Sequence, residues 1–418
     1  MKIIIIGAGL LGTSTAYFLK QHGHDVDVFE RADAPAMETS FANGGMLTPS
    51  QSEPWNYPGI TLDLLTHFGK PDSPIRLGVA GMTSALLWGI KFLLNSRKNR
   101  FYQNMFKNAR LTSYSMQVLR QLRHDLGLQY DERCVGTLKF FTDKFQYAQA
   151  IKHSFVYREL DIRHQLLDTE ETLFMEPSLE KIKSSIKGGI YYPDDESGDA
   201  HAFCQLLARH AGDAGVRFHY GTQVHGFAFH AREITGITTN TGSFTADKYI
   251  LAAGSYSPML ARTARIHLPV RPIKGYSLTM QLPGGVTGPG LPVIDESRHI
   301  AMAPLGTRLR IAGTAELNGY NRDIDETRIN RMLDYIGSIY PEILASTPAK
   351  KVNTWSGLRP YSADGVPYIG PAVYSNLYMN TGHGHLGWSM CAGSGKLLAD
   401  CLSETRPEID LAPYRFDR

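Results

Sequence analysis

The chain is poor in cysteine, in charge of one sign and in long apolar runs, and each shortage excludes something. Its four cysteines, Cys134, Cys204, Cys391 and Cys401, form no C-x-x-C pair and are too sparse for a disulfide framework. They read as reduced, mostly buried thiols of a cytoplasmic compartment. The uncharged stretch from Leu77 to Ile90 has fourteen residues, short of the ~20 that a spanning helix needs. The apolar run at the N-terminus is only five residues long, too short for the core of a secretory signal. Lysine and arginine number 43 against 40 acids, a net +3, which gives no support for a nucleic-acid partner. Repeats, low-complexity segments, a convincing catalytic triad and a carboxylate pair are absent too. What remains is ordinary globular composition, 43% hydrophobic and 20% charged, over 418 residues, a length that favours two interleaved domains.

The first thirty residues organise the rest. Lys2–Ile6 reads as a buried parallel strand, and Gly7-Ala8-Gly9-Leu10-Leu11-Gly12 follows it directly. A helix is expected from Thr13 to Gln21, then a second strand through Val26, Val28 and Phe29 that ends at Glu30 and Arg31. Strand, glycine turn, helix, strand and acid together make a dinucleotide site. Gly7 permits the tight turn, Gly9 the close approach of backbone to pyrophosphate, and Gly12 the packing of helix on strand. The helix N-terminus offers free N–H groups to phosphate, and Glu30 faces the adenosine ribose. The small polar run Thr39-Ser40-Phe41-Ala42-Asn43-Gly44-Gly45-Met46 lets backbone lie against a flat ligand.

Further along, Pro54, Trp55, Tyr57 and Pro58 lead into the Leu77–Leu94 region, which Arg97, Lys98 and Arg100 close. A buried helix and an interfacial one both fit that pattern. Helices are expected over 101–127, 145–158, 201–214 and 326–339, and strands over 136–141, 216–220, 271–281 and 308–316. Gly189 to Asp199 reads as an acidic loop bordering a pocket. The strand Lys248–Leu251 ends in Ala252-Ala253-Gly254, where small residues allow a second approach to the same ligand, and Val224 is placed to flank an adenine. Near the C-terminus, a strand from Leu377 to Asn380 runs into Thr381-Gly382-His383-Gly384-His385-Leu386-Gly387-Trp388 and then a helix from Ser389 to Ser403. This second strand, turn and helix points another helix N-terminus at the ligand. His383 and His385 have no third ligand nearby, so no metal site is expected.

With the fingerprint, Thr39–Gly45, Lys274-Gly275-Tyr276-Ser277-Leu278-Thr279, Gly357-Leu358-Arg359-Pro360 and Asn380–Trp388 in hand, the chain resembles the D-amino-acid oxidase and glycine oxidase superfamily of FAD-dependent amine oxidoreductases. Its nearest likeness within that superfamily is the D-amino-acid dehydrogenase branch. The resemblance spans essentially the whole length. It implies an α/β fold, with a Rossmann-type FAD-binding domain (1–75, 150–262 and 355–418) interleaved with an α+β substrate domain (76–149 and 263–354) on a mostly antiparallel sheet. It implies non-covalent FAD, and oxidative deamination of a D-amino acid, with D-alanine as the expected substrate, by direct hydride transfer from Cα to flavin N5. Electrons would pass to a respiratory quinone.

Arg359 would be the carboxylate clamp, since guanidinium meets carboxylate as a bidentate fork. Tyr276 would be a second carboxylate or amine contact, Tyr320 and Asn318 would close the pocket, and His383 and His385 would line the flavin edge. His201 is a weaker carry-over. The same motifs serve D-hydroxyproline and proline-type dehydrogenases and glycine- or sarcosine-type oxidases. A flavin-bearing assembly subunit is the reading from another class. The resemblance also gives the 77–94 region a role as a peripheral contact with the inner face of the cell membrane.

Overall fold

Four consecutive isoleucines leave a strand no face for water, and Ile3 to Ile6 are almost wholly buried. In the computed structural model, which describes residues 1–62, 75–77, 86–282, 284, 286, 288–347 and 351–418, the strand Lys2–Ile6 lies inside a six-stranded sheet. It pairs in parallel with Asp25–Phe29 on one side and Lys248–Leu251 on the other. The sheet continues outward through Arg217–His219 at one edge and through Leu377–Thr381 and the antiparallel strand Tyr368–Pro371 at the other. Helices Leu10–Gln21 and Gly387–Leu402 cover it. A Cβ on Gly395 would stand 2.8 Å from the Ser14 backbone, and one on Gly393 2.7 Å from Ser115 Cα on the long helix Lys98–Leu126. Small residues therefore bring three helices into backbone contact beneath the site.

A second sheet of nine strands is mostly antiparallel. Across it, one row of residues shares a face in continuous register: Ile190, Lys139, Ile294, Ala301, Ala312, Ser277 and Trp355. The opposite face carries Tyr276, Leu278 and Met280, and helix Glu326–Ile339 buries them with Ile329, Met332 and Ile336. The two sheets are tied by the loop that follows the fingerprint. Ser277 Oγ donates to the Ala42 carbonyl (2.6 Å), Arg310 to the Asn43 carbonyl (2.8 Å), and Thr39 Oγ1 to the Leu358 carbonyl (2.7 Å).

Several sequence expectations shift. The fingerprint helix begins at Leu10 rather than Thr13, because Gly9 serves as its N-cap and accepts the Thr13 N–H at 2.9 Å. The strand expected over 216–220 is Arg217–His219, and the last helix is Gly387–Leu402. The stretch taken as an acidic loop holds the strands Gly188–Tyr192 and Glu196–Ser197, and its acids are engaged within the protein, Asp195 by the Ser50 and Thr137 hydroxyls. Glu196 pairs with Arg120 and Arg123, and Asp194 with Arg163. Residues 150–192, grouped above with the nucleotide-binding part, give the strands Gln165–Leu167 and Gly188–Tyr192 to the nine-stranded sheet, and Val352–Ser362 crosses the boundary drawn at 355. Of the 77–94 region, residues 78–85 lie outside the described residues, Ile75–Leu77 is a short strand, and Leu86–Asn95 is a helix.

Candidate active site

Where the parallel strands end, the fingerprint turn faces the nine-stranded sheet across a cavity of about 1860 Å³. Small-molecule pockets are typically ~300–1,000 Å³, so this one has room for a dinucleotide and a further ligand. At the nucleotide end, Gly7 has φ +106°, and a Cβ there would lie 2.6 Å from the Ala252 carbonyl oxygen. A Cβ on Gly12 would lie 1.9 Å from the Gly7 oxygen. Only glycine lets turn, helix and neighbouring strand close this tightly. Gly9, Leu10 and Leu11 line the cavity with the first helical turn, whose N–H groups have no intrahelical acceptors. Leu10 N–H reaches Ser40 Oγ at 3.3 Å.

The Glu30 carboxylate is fixed by the Ala8 and Ala32 N–H groups at 2.8 and 3.0 Å, with lone pairs to spare for ribose hydroxyls. Beside it Arg31 lies 3.9 Å over the Tyr256 ring and pairs with Glu38, which also takes Arg322. Val224, Ala253 and Gly254 complete this end, and Ser40, Asn43, Gly44 and Met46 carry the wall onward. Gly12, Gly45, Gly382 and Leu386 stand behind the wall. Gly45, at φ +70°, faces Ala303, and Leu386 is core. This donor set, a bare helix N-terminus beside a fixed carboxylate, fits a dinucleotide.

In the middle, His383, Gly384, His385 and Gly387 line the cavity. His383 Nε2 meets Ser394 Oγ at 2.9 Å, and its Nδ1 is buried with no partner among the described residues. His385 Nε2 lies 3.0 Å from the Gln51 carbonyl, which can only accept, so the proton sits on Nε2 and Nδ1 keeps a bare lone pair. Burial pushes the two imidazoles down to about 3 and about 4, with Arg359 and Lys139 adding repulsion at His385. Both are therefore neutral at neutral pH. Trp388 Nε1 is likewise buried without a partner among the described residues. Orphaned polar atoms at one wall mark a place built for another molecule.

At the far end stands Arg359. Strand alternation puts Trp355, Gly357 and Arg359 on the cavity face of Val352–Ser362. The guanidinium lies across Gly275, where a Cβ would come within 2.1 Å of Nη1. Nη1 donates to the Thr314 carbonyl at 3.3 Å, and the Trp55 ring lies 5.6 Å away on its π face. No carboxylate pairs with it among the described residues. Burial alone lowers its pKa to about 10, which leaves it cationic at neutral pH. An enclosed guanidinium without a counter-ion is a binding group for an anion.

The other expected residues are placed differently. Tyr276 borders the cavity, but its hydroxyl donates to Glu316 (2.7 Å), which also pairs with Lys274 (3.1 Å), and its neighbours are those of the opposite sheet face. Tyr320 donates to the Ser255 carbonyl at 3.0 Å and, like Asn318 and His201, is not part of the cavity wall. His201 Nδ1 instead faces the Ala36 carbonyl. Sequence reasoning gave no site role to Trp55, which stacks on His385 at 5.1 Å and on Tyr361 at 5.2 Å, or to Glu53, Lys139 and Tyr157, whereas Tyr192 lies in the stretch read as bordering a pocket and lines the cavity. The signal for Trp55 was an aromatic beside proline in a polar segment.

The sequence matches the family described as FAD dependent oxidoreductase over residues 2–401. It is 40% identical over 418 residues to a D-amino acid dehydrogenase of Granulibacter bethesdensis, covering 100% of this chain and 99% of that protein. A D-amino acid dehydrogenase of Bradyrhizobium diazoefficiens is 38% identical over 418 residues, again with 100% and 99% covered. Among solved structures, glycine oxidase from Geobacillus kaustophilus superposes with a TM-score of 0.78 at 22% identity, and L-proline dehydrogenase from P. horikoshii with 0.74 at 18%. Each alignment covers 100% of this chain and 98% of the other. At such identities the superpositions establish the fold alone.

The two depressed imidazoles have a consequence for stability. An unfolded chain takes up protons at histidine below about 6.5, which His383 and His385 refuse while folded, so their contribution is complete above that pH and is lost as pH falls towards 4. Asp195, raised to about 6 by burial, works in the opposite sense between 3.8 and 6, but it does so equally in any histidine variant. The midpoint of thermal unfolding should therefore fall less between pH 7 and pH 5 in His383→Gln than in the parent protein. An equal fall in both would show that His383 is not held neutral by the fold.

Proposed function

The chain belongs to the family of FAD-dependent oxidoreductases, and from that premise we propose that it is a D-amino acid dehydrogenase. It oxidises the Cα–N bond of a D-amino acid, D-alanine in the simplest case. Water then hydrolyses the imino acid to the 2-oxo acid and ammonia, and the electrons leave to a membrane quinone. The observation that carries this reading is Arg359, a half-buried cation with no carboxylate partner among the described residues, facing the same cavity as the nucleotide cradle. FAD, when bound, supplies the two-electron acceptor. The chain supplies position. Arg359 takes the substrate carboxylate as a fork, while Gly275 and Trp55 hold the guanidinium flat. His383 and His385, being neutral, add no competing charge beside the clamp. The half-buried setting of the fork lowers the local dielectric and strengthens the ion pair. Full-length similarity to relatives named D-amino acid dehydrogenase supports the choice of substrate class.

The helix Leu86–Asn95 supports a peripheral membrane contact. It buries Trp88 and Phe92 against Tyr361 and leaves Leu86 and Leu87 about two-thirds exposed (67% and 65%), with Ile90, Leu93 and Leu94 beside them. Arg97, Lys98 and Arg100 follow, suited to anionic headgroups. No helix of the described residues is long and apolar enough to cross a membrane.

Two experiments test these readings. Under anaerobic conditions, D-alanine should bleach the yellow absorption of the FAD-loaded protein while L-alanine does not, and a quinone should restore the colour faster than air. Bleaching only by glycine, sarcosine, D-proline or D-hydroxyproline would transfer the function to the oxidases and cyclic-amine dehydrogenases of the same superfamily. Separately, replacing Leu86 and Leu87 by glutamate should release the protein from anionic vesicles and leave dye-linked turnover intact; undiminished vesicle binding would remove this helix from the account.

A further inference from the structure

The cavity does not end at Arg359. We propose that its lobe beside Glu53 receives the substrate side chain and selects D-amino acids carrying a cationic group at the end of a long stem, a refinement that rests on the reading of Arg359 as the carboxylate clamp. Glu53 and Trp55 are two positions apart on one segment, so their Cα atoms are at most ~7 Å apart. The Trp55 ring lies against the Arg359 guanidinium. The lobe therefore opens where the clamp ends.

Its walls are the bodies of Phe101, Tyr102, Phe141, Tyr157, Ile190 and Tyr192. These apolar surfaces favour burial of a methylene stem, with far more room than the methyl group of alanine uses. The polar groups among them are unbalanced. Lys139, on the floor of the sheet, is engaged by Glu296 at 3.2 Å. Glu53 accepts one hydrogen bond, from the Tyr157 hydroxyl at 2.8 Å, and no cation pairs with it among the described residues. Glu53 therefore has only the longer-range pull of Lys139, which Glu296 already holds. The other basic groups lining this part of the cavity, Lys98, His153 and His299, are exposed to solvent. Tyr192 Oη, on the same wall, is buried beside Tyr157 with no hydrogen bond of good geometry among the described residues.

Among the described residues the cavity is therefore positive at the clamp, and the enclosed charges of the lobe, Glu53 and Glu296 against Lys139, are negative in excess. An α-carboxylate on Arg359 with a side-chain ammonium or guanidinium towards Glu53 satisfies both ends. An anionic side chain would meet Glu53 and Glu296 with like charge. Selectivity of this kind comes as much from rejection as from attraction.

The test is the ratio of kcat/KM for D-lysine to that for D-norleucine, which has a similar stem and no charge, with D-alanine as reference. The native enzyme should favour D-lysine by roughly 10-fold or more, the effect of a charge-assisted hydrogen bond in an enclosed site. Glu53→Gln should bring the ratio to near unity, mainly through the KM of D-lysine, and Glu53→Lys should invert it and raise activity on D-glutamate relative to D-norleucine. Turnover of D-alanine with a native ratio at or below one, or a ratio that neither variant moves, would overturn the assignment of the lobe alone. Failure of every D-amino acid, D-alanine included, to reduce the flavin would overturn the clamp and the lobe together.

Discussion

A guanidinium taken out of water costs several kcal/mol unless something replaces its hydration, and the arrangement around Arg359 is shaped by that cost. Among the described residues the protein offers it a carbonyl, that of Thr314, and the face of Trp55. It supplies no carboxylate among the described residues, although it pairs many of its other arginines with one. The fork is therefore left for a ligand. To keep it there, two strands carry glycine where they pass beneath and beside it. Gly275 and Gly357 face each other across the pair formed by Val270–Gln281 and Val352–Ser362. At Gly275 any side chain would occupy the space of the guanidinium, and at Gly357 that of the Trp355 ring.

The nucleotide end obeys a similar constraint of closeness. Gly7, Gly12 and Ala252 bring strand, turn and helix together at distances no larger side chain permits. The two ends would be unrelated without the loop Thr39–Gly45, which leaves the parallel sheet and is fastened to the antiparallel one through Ser277, Arg310 and the Leu358 carbonyl. Arg310 is almost wholly buried and makes its bond to the Asn43 carbonyl from within the sheet face that holds the site. One set of hydrogen bonds thus fixes the distance between the cradle for the dinucleotide and the fork for the anion. That fixed distance is what a transfer between two bound partners requires.

Much of this was legible in sequence because it is local. Lys2–Ile6 and Glu326–Ile339 have the bounds their patterns predict, and the fingerprint glycines carry their geometry in their spacing. Arg359 could be singled out because the residues around it resemble a family motif. Tyr276 shows where this stops. It is only three positions along its strand from Ile273, the partner of Arg359, yet its hydroxyl is committed to Glu316, and that commitment depends on pairing with a strand some forty residues distant. Trp55, Glu53 and Lys139 were unreadable for the same reason. Glu53 and Trp55 come to the cavity from one segment and Lys139 from another, far from Arg359 in sequence, and neither Glu53 nor Lys139 has a pattern of its own. The helix beginning at Leu10 was misplaced because glycine at positions 9 and 12 reads as a turn until the N-cap is seen.

The account depends most on Arg359 being the anion site of the cavity. Titration of the FAD-loaded protein with a small aromatic carboxylate, followed by the flavin absorption spectrum, tests this without turnover. The native protein should show a saturable spectral change. Arg359→Met should retain its FAD and bind the same carboxylate at least ~10-fold more weakly, the loss of a charge-assisted pair. Equal affinity in the two proteins, with FAD bound in both, would contradict the account at its centre.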